Sequence, residues 1–456
     1  MCHANSMKSS NPALVLAERS APRYTSYPTA PHFHAGIGAA EAANWLAELP
    51  EATSLSAYIH VPFCRSLCAY CGCDTKAVLR DEPLAAYANT LGEEIDLLAS
   101  RTSARRIAHI HWGGGTPSLL GPVRLTRLAG QLAGRFDISQ IAEHAIELDP
   151  RHVDGELAET LARIGINRVS LGVQDMHRHV QQAIGRLQPP DEVEHSVKLL
   201  RQAGIEAINL DLMYGLPRQS IEDVRQTVNW AASLAPSRLA IFGYAHVPWM
   251  KKHQRLIDAA MLPGAELRLE QADAARVALV RCGYTAVGLD HFARPDDTLA
   301  KAARSGTLRR NFQGYTTDAA DALLPLGASS IGKFPQGYVQ NAPDIGGWSR
   351  AVLNGQLPVV RGLALSHDDL ARADVIGRLM CALAVDFGEL AQQHYGNAGA
   401  FDSSIGQLDQ LAGDGLLIRD GRKLTMTEAG APFVRLAAAA FDAYLADSAA
   451  RHSVAV

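Results

Sequence analysis

The chain has 456 residues, 47% of them hydrophobic and 20% charged, with 43 Lys and Arg against 47 Asp and Glu for a formal charge of -4. This composition excludes a disordered chain and any wholesale electrostatic attraction to nucleic acid or an anionic membrane. No apolar run approaches the roughly 18 residues that a transmembrane helix needs. The expectation is a cytoplasmic enzyme with no membrane or nucleic-acid partner, in which any anionic substrate is held by local basic groups.

In chain order, the stretch Pro22-Arg-Tyr-Thr-Ser-Tyr-Pro28 comes first and is too aromatic for a free tail, so it is expected to pack against the open barrel that follows. Leu55 to Val61, LSAYIHV, reads as a strand. Four of the seven cysteines follow within ten residues, Cys64, Cys68, Cys71 and Cys73, in a loop marked by Pro62 and Gly72; Cys2, Cys282 and Cys381 are scattered. Thiols so concentrated hold a metal rather than form a disulfide framework. Spacing leaves zinc and iron–sulfur both open, although no second ligand half follows as in most structural zinc sites. If only Cys64, Cys68 and Cys71 bound a cubane, one iron would lack a protein ligand and could hold a substrate. Cys73 is read as a non-ligand, because one intervening residue makes it hard for it and Cys71 to reach different irons.

Strand-like and helical patterns then alternate, as in a parallel sheet with crossover helices. Helical spacing of Leu84, Tyr87, Leu91, Ile95 and Leu98 leads to a strand at Arg106–Trp112 that ends in Gly113-Gly-Gly-Thr116-Pro117. Further strands are expected at His144–Leu148, Asn167–Val173, Ala207–Met213 and Arg238–Tyr244, with helices at Leu157–Ile164 and Ile221–Val228 between them. Six units are too few for a closed eight-stranded barrel, so the reading is an α/β fold, a partial (β/α)6 TIM-like barrel with an open side. Its polar residues fall at the carboxyl ends of the strands, the active face of a barrel: the cysteine loop, the glycine run, Glu147 with Asp149, Gln174 with Asp175, Asp211, and Tyr244 with His246. Any one carboxylate could instead cap the next helix. His111, within a strand, is read as a satisfied core residue, and His60 and His246 as strand-end hydrogen-bonding groups.

Beyond the barrel, Arg294–Tyr315 mixes cations with aromatics as a lid over a polyanionic ring compound would, although a solvated loop reads the same way. The last ninety residues resemble a winged helix, with Ile405, Leu408 and Leu411 before a hairpin-like segment at Leu424. Arg419, Arg422, Lys423 and Arg435 are offset there by Asp402, Asp409, Asp414, Asp420 and Glu428, so the basic footprint of a DNA reader is missing and a cover for the site is expected. The division is an N-terminal extension over 1–50, the barrel and lid over 51–350, and a mainly helical domain over 351–456.

The C-x3-C-x2-C loop with Tyr70 before its third cysteine resembles the radical S-adenosylmethionine signature. Several longer segments resemble oxygen-independent coproporphyrinogen III oxidases: PRYTSYPTA at 22–30, YIHVPFC and CAYCGC within 58–73, HWGGGTPS at 111–118, NRVSLGVQD at 167–175, NLDLMYGLP at 209–217, FGYAHVP at 242–248, and LDHFARPDDTLA with LRRNFQGYTT within 289–317. The resemblance implies a barrel with an N-terminal extension and a helical C-terminal domain, one [4Fe-4S] cluster and two S-adenosylmethionine molecules per chain. It implies Cys64, Cys68 and Cys71 as cluster ligands, with Cys73 outside the set. By the same resemblance Tyr58, Tyr70, Gly114 and Glu147 contact the first cofactor molecule, and Gly115, Thr116, Gln174, Arg186, Asp211, Ala245 and Ile331 the second. It further implies a tetrapyrrole substrate, an electron donor such as a flavodoxin or ferredoxin, and a monomer. Arg23 and Arg310 are the expected substrate-binding cations, by location and by the bidentate geometry of arginine. The chain departs from the family pattern at Tyr70, at Asp74 and over Ser330–Phe334. Shorter relatives act as haem chaperones; they lack the PRYTSYP segment and carry phenylalanine at the place of Cys73, so both features favour the oxidase here.

Overall fold

The computed structural model describes residues 12–445; Cys2 and the first eleven residues of the N-terminal extension lie outside them. The six expected strands are present as β1 (Leu55–Val61), β2 (Ile107–Gly114), β3 (Glu143–Leu148), β4 (Arg168–Gln174), β5 (Ala207–Tyr214) and β6 (Arg238–Gly243). Crossover helices at Glu82–Ser100, Gly121–Arg135, Gly155–Arg163, Pro190–Gln202 and Ile221–Ser233 cover their outer face. The strands pair in parallel in sequence order, each with the next. Apolar side chains on the outward face of each strand, such as Ile59, Ile110, Ile146, Val169, Leu210 and Leu239, are fully buried under those helices. The helices form because their apolar positions recur every three to four residues and so line one stripe.

The sheet is larger than expected. Its further strands are β7 (Thr285–Val287), β8 (His291–Ala293), β9 (Ala322–Leu326), β10 (Ile331–Phe334), β11 (Gly337–Asn341) and β12 (Val359–Ala364). β9 runs parallel to β1 on its free side, so seven strands are parallel, and antiparallel strands extend both edges to twelve. Pro325 hides β9 in the sequence, since proline usually rules out a paired strand. The sheet thus runs past residue 350, to Ala364.

A second apolar cluster belongs to the C-terminal helices, among them His367–Ala382, Phe387–Tyr395 and Ile405–Gly413, with a three-stranded sheet formed by Ala384–Asp386, Leu417–Asp420 and Lys423–Met426. Leu16, Ala17, Tyr24 and Tyr27 are part of this cluster. The N-terminal aromatics were expected on the barrel; they pack instead on the C-terminal unit, which gives their hydroxyls polar partners. Tyr24 donates to Asp442 at 3.0 Å, and the Ala443 N–H donates to the Tyr27 hydroxyl at 3.0 Å. Past them the chain returns to the sheet, where Phe33 stacks on Tyr338 and His34 bridges to Gly362 of β12.

The amino-terminal end of the barrel is closed by ions. Arg168 and Arg238 share Glu143 and Asp297, with Arg238 to Asp297 at 2.8 Å and Arg168 to Glu143 at 2.7 Å. Asp297→Ala leaves the two guanidiniums only Glu143 to share and is expected to cost about 2–3 kcal/mol. Asp96→Ala, in a solvent-exposed pair with Arg135, is expected to leave stability almost unchanged. Urea denaturation of the two variants checks the contrast.

Candidate active site

The site begins where β1 and β2 end side by side. Gly115 N–H donates to the Val61 carbonyl at 2.9 Å and Thr116 N–H to the Phe63 carbonyl at 2.7 Å, so the glycine run lies directly on the chain entering the cysteine loop. A Cβ at Gly115 would stand 2.4 Å from the Phe63 oxygen, an approach only glycine permits. Returning from the loop, Lys76 N–H bonds Pro62 O at 2.7 Å and Val78 N–H bonds Cys64 O at 2.9 Å. The loop is therefore closed at its base by main-chain bonds.

Cys64, Cys68, Cys71 and Cys73 are all free thiols. Thr116 Oγ1 lies 3.6 Å from Cys64 Sγ, and Arg186 Nη1 3.6 Å from Cys68 Sγ, so donors already face two of the sulfurs. A hydrogen bond from Cys73 is the main reason the Cys71 thiol is drawn below its usual range, with burial opposing. Among the described residues no three His, Cys, Asp or Glu side chains converge as a single-ion site requires. A set of thiols on one loop, with a hydroxyl and a guanidinium behind two of them, fits an iron–sulfur cluster, whose ligands stand farther apart than those of one zinc ion.

Sequence reasoning missed what pins the loop from outside. Lys251 Nζ donates to Cys73 O at 2.9 Å, Gln254 Nε2 to Tyr70 O at 2.8 Å, and His253 Nε2 lies 2.7 Å from Cys71 O. Gln254 also reaches Ala245 O at 3.2 Å, tying the end of β6 to the cluster loop. The only signal in the sequence was the basic run Lys251-Lys-His-Gln-Arg255 in a stretch without periodicity.

Below the loop, polar side chains face the barrel axis and line a cavity of about 180 Å³. Glu147 accepts from Gly114 N–H at 3.1 Å and pairs with His111 at 3.1 Å. Burial opposes its charge, yet the His111 bond and the Gly114 N–H hold its carboxyl below the usual range. His111, expected as a core residue, instead lines this cavity and stacks on the Tyr58 ring at 5.8 Å with the planes 25° apart. The cause is the inward register of β2, which places His111 opposite Tyr58 and Ala145. Tyr58 bonds His60, which in turn reaches Asp74 O. Burial pushes Asp211 up to about 6 although the Ser170 hydroxyl donates to it at 2.7 Å.

Gln174 sits at a β-bulge and has φ +69°, a conformation disfavoured for a side-chain-bearing residue and concentrated at functional sites. Arg186 Nη2 donates to Gly172 O at 2.8 Å and pairs with Asp149 at 3.3 Å, so Gln174, Arg186 and Cys68 share one neighbourhood. Asp149 and Asp175 serve as caps and supports: Asp149 accepts from Arg151 N–H, and Asp175 from His177 N–H and Gln219. Ile331 opens β10 and packs against the Phe33–Tyr338 cluster, on the far side of β9 from Tyr58. Arg23 reaches Gly243 O at 3.4 Å, and Arg310 reaches Arg23 O at 3.5 Å, at the mouth beside β6.

A family model of the Radical SAM superfamily matches residues 58–231, which span β1 to the helix after β5. An oxygen-independent coproporphyrinogen III oxidase of Bradyrhizobium diazoefficiens is 46% identical over 97% of this chain and 99% of the relative. The chain belongs to the oxygen-independent coproporphyrinogen III oxidase family. A second member, from Paracoccus denitrificans, is 41% identical over 97% of this chain and 98% of its own. The solved coproporphyrinogen III oxidase of Escherichia coli, described as a radical SAM enzyme, superposes with a TM-score of 0.88 at 37% identity, covering 93% of this chain and 98% of that one. The α/β fold with its large parallel sheet and helical C-terminal region is that of this family, whose cofactors are S-adenosylmethionine and a [4Fe-4S] cluster.

Gly115→Ala is expected to force β2 away from Phe63 and misplace Cys64. Iron bound after anaerobic reconstitution should fall at least severalfold, with the thermal midpoint changed far less; full iron loading would contradict the close-approach argument.

Proposed function

We propose that this chain carries out the oxygen-independent oxidative decarboxylation of two propionates of coproporphyrinogen III to vinyl groups, giving protoporphyrinogen IX. The observation that carries this reading is the cysteine loop seated on the glycine run above a polar cavity, in a chain nearly half identical to an oxidase over its whole length. When bound, the cluster, held by Cys64, Cys68 and Cys71, and S-adenosylmethionine would supply hydrogen-abstracting radical chemistry at a propionate β-carbon, and the electron left after loss of carbon dioxide would pass to an external one-electron acceptor.

In this reading the chain's own residues hold and orient. Cys64, Cys68 and Cys71 bind the cluster, and Thr116 and Arg186 hydrogen-bond toward the sulfurs of Cys64 and Cys68. Tyr58, Tyr70, Gly114 and Glu147 hold one cofactor molecule, Glu147 through a carboxylate that stays ionised beside His111. Gly115, Thr116, Gln174, Arg186, Asp211, Ala245 and Ile331 hold a second. The strain at Gln174 and the burial that raises the Asp211 carboxyl above its usual range support a binding role for that side of the barrel. Arg23 and Arg310 hold substrate carboxylates. Electrons arrive from a small donor such as a flavodoxin or ferredoxin, and the chain acts as a monomer.

Cys64→Ala is expected to abolish both S-adenosylmethionine cleavage and vinyl formation, whereas Cys73→Ala should keep about four irons per chain. Loss of iron in Cys73→Ala alone would overturn the ligand assignment. Anaerobic assays with coproporphyrinogen III, dithionite and S-adenosylmethionine should yield the divinyl product, identified by mass; haem retention without turnover would overturn the oxidase reading.

A further inference from the structure

We propose that the surface around the rim of the cysteine loop, built from residues 65–80 and 249–258, is the docking face for a small acidic one-electron carrier protein. The inference rests on the external electron donor proposed above and deepens it by assigning where that donor sits. The two segments meet at the loop. Lys251 Nζ bonds Cys73 O at 2.9 Å and lies 3.8 Å from Asp74, and His253 Nε2 lies 2.7 Å from Cys71 O, so the stretch after β6 is seated on the last two cysteines. On the other flank the Val78 N–H bond to Cys64 O brings Leu79 and Arg80 beside the first cysteine, and Arg65 Nη1 donates to Leu79 O at 3.3 Å.

In charge these segments are unlike the chain as a whole. They hold Arg65, Lys76, Arg80, Lys251, Lys252 and Arg255 against only Asp74 and Asp258, in a chain whose formal charge is -4. Asp74 is already offset by Lys251, and Asp258 caps the Ala260 N–H. Lys76, Arg80, Lys252 and Arg255 are exposed and make no ion pair among the described residues. Beside them large apolar side chains stand in water: Leu79 is 82% exposed, Leu256 79%, Met250 64% and Trp249 47%. Apolar groups gathered at one place and rimmed by charge mark a contact surface for another macromolecule, and methionine and tryptophan suit a transient one. The net positive charge selects an acidic partner and steers its approach. Position selects an electron carrier, because electron transfer weakens steeply with distance and this face hydrogen-bonds directly to the main chain of Cys71 and Cys73. The step moves one electron: the reduced carrier loses it, the cluster gains it, and no bond forms or breaks. An anionic lipid surface answers the same charge but brings no electron to the loop it covers.

The test mixes anaerobically reconstituted holoprotein with a flavodoxin, a small acidic flavoprotein, in the absence of substrate. Calorimetric titration with the oxidised form gives Kd, and electron paramagnetic resonance follows cluster reduction by the hydroquinone form. The charge reversals Lys252→Glu with Arg255→Glu, and separately Lys76→Glu with Arg80→Glu, should each raise Kd at least about tenfold at low salt and slow cluster reduction accordingly, with the difference shrinking as salt screens the charges. Both variants should keep the wild-type iron content and be reduced normally by dithionite, a small molecule that needs no docking face. Flavodoxin affinity unchanged by the reversals, equal loss of reduction by dithionite, or wild-type protein that flavodoxin does not reduce would each overturn the docking face. Binding to phosphatidylglycerol vesicles that the reversals abolish, with flavodoxin affinity untouched, assigns the face to a membrane and also overturns it. Vinyl formation with dithionite alongside charge-independent flavodoxin binding removes the docking face and keeps the proposed function; charge-dependent docking on a chain that leaves coproporphyrinogen III unaltered does the reverse.

Discussion

The architecture depends on one close approach of backbone to backbone. Where β1 and β2 leave the sheet, Val61 and Phe63 accept hydrogen bonds from Gly115 and Thr116, and no side chain larger than hydrogen fits between. That contact fixes the first cysteine relative to the glycine run, and through β2 relative to Tyr58, His111 and Glu147 on the barrel axis. A four-cysteine loop hung from a single strand end would have no fixed orientation. Here it is pinned at its base by main-chain bonds and at its rim by Lys251, His253 and Gln254.

The barrel interior differs from the packed apolar centre of a closed (β/α)8 fold. One end carries the Arg168–Arg238–Glu143–Asp297 network and the other the His111–Glu147 pair and Asp211, with the cavity between. The arrangement works because outward-facing side chains of the same strands bury the apolar surface, leaving the inward register to polar groups. The N-terminal strap and the C-terminal unit share an apolar cluster, and Arg435 of that unit donates to Ala21 O of the strap.

Much of this was legible in the sequence. Parallel strands between amphipathic helices announce themselves through apolar runs and period, and β1 through β6 fall within two residues of where the sequence placed them. The cysteine loop was legible because four thiols crowded into ten residues of loop are rare except where they bind metal. What escaped was whatever depends on partners distant in sequence. β9 escaped because Pro325 masks a strand whose pairing with β1 supplies its stability. His111 escaped because a histidine in a strand reads the same whether it faces the core or a cavity. Asp149 and Asp175 stand at strand ends like Glu147, yet their side chains turn to local N–H groups and neighbouring residues.

The central claim is that a cluster held by Cys64, Cys68 and Cys71 keeps one iron for the cofactor. Electron paramagnetic resonance of the reduced, reconstituted protein tests it most directly. The account predicts a [4Fe-4S] signal whose line shape changes on adding S-adenosylmethionine. A zinc-loaded protein without such a signal, or a cluster spectrum indifferent to the cofactor, would contradict it.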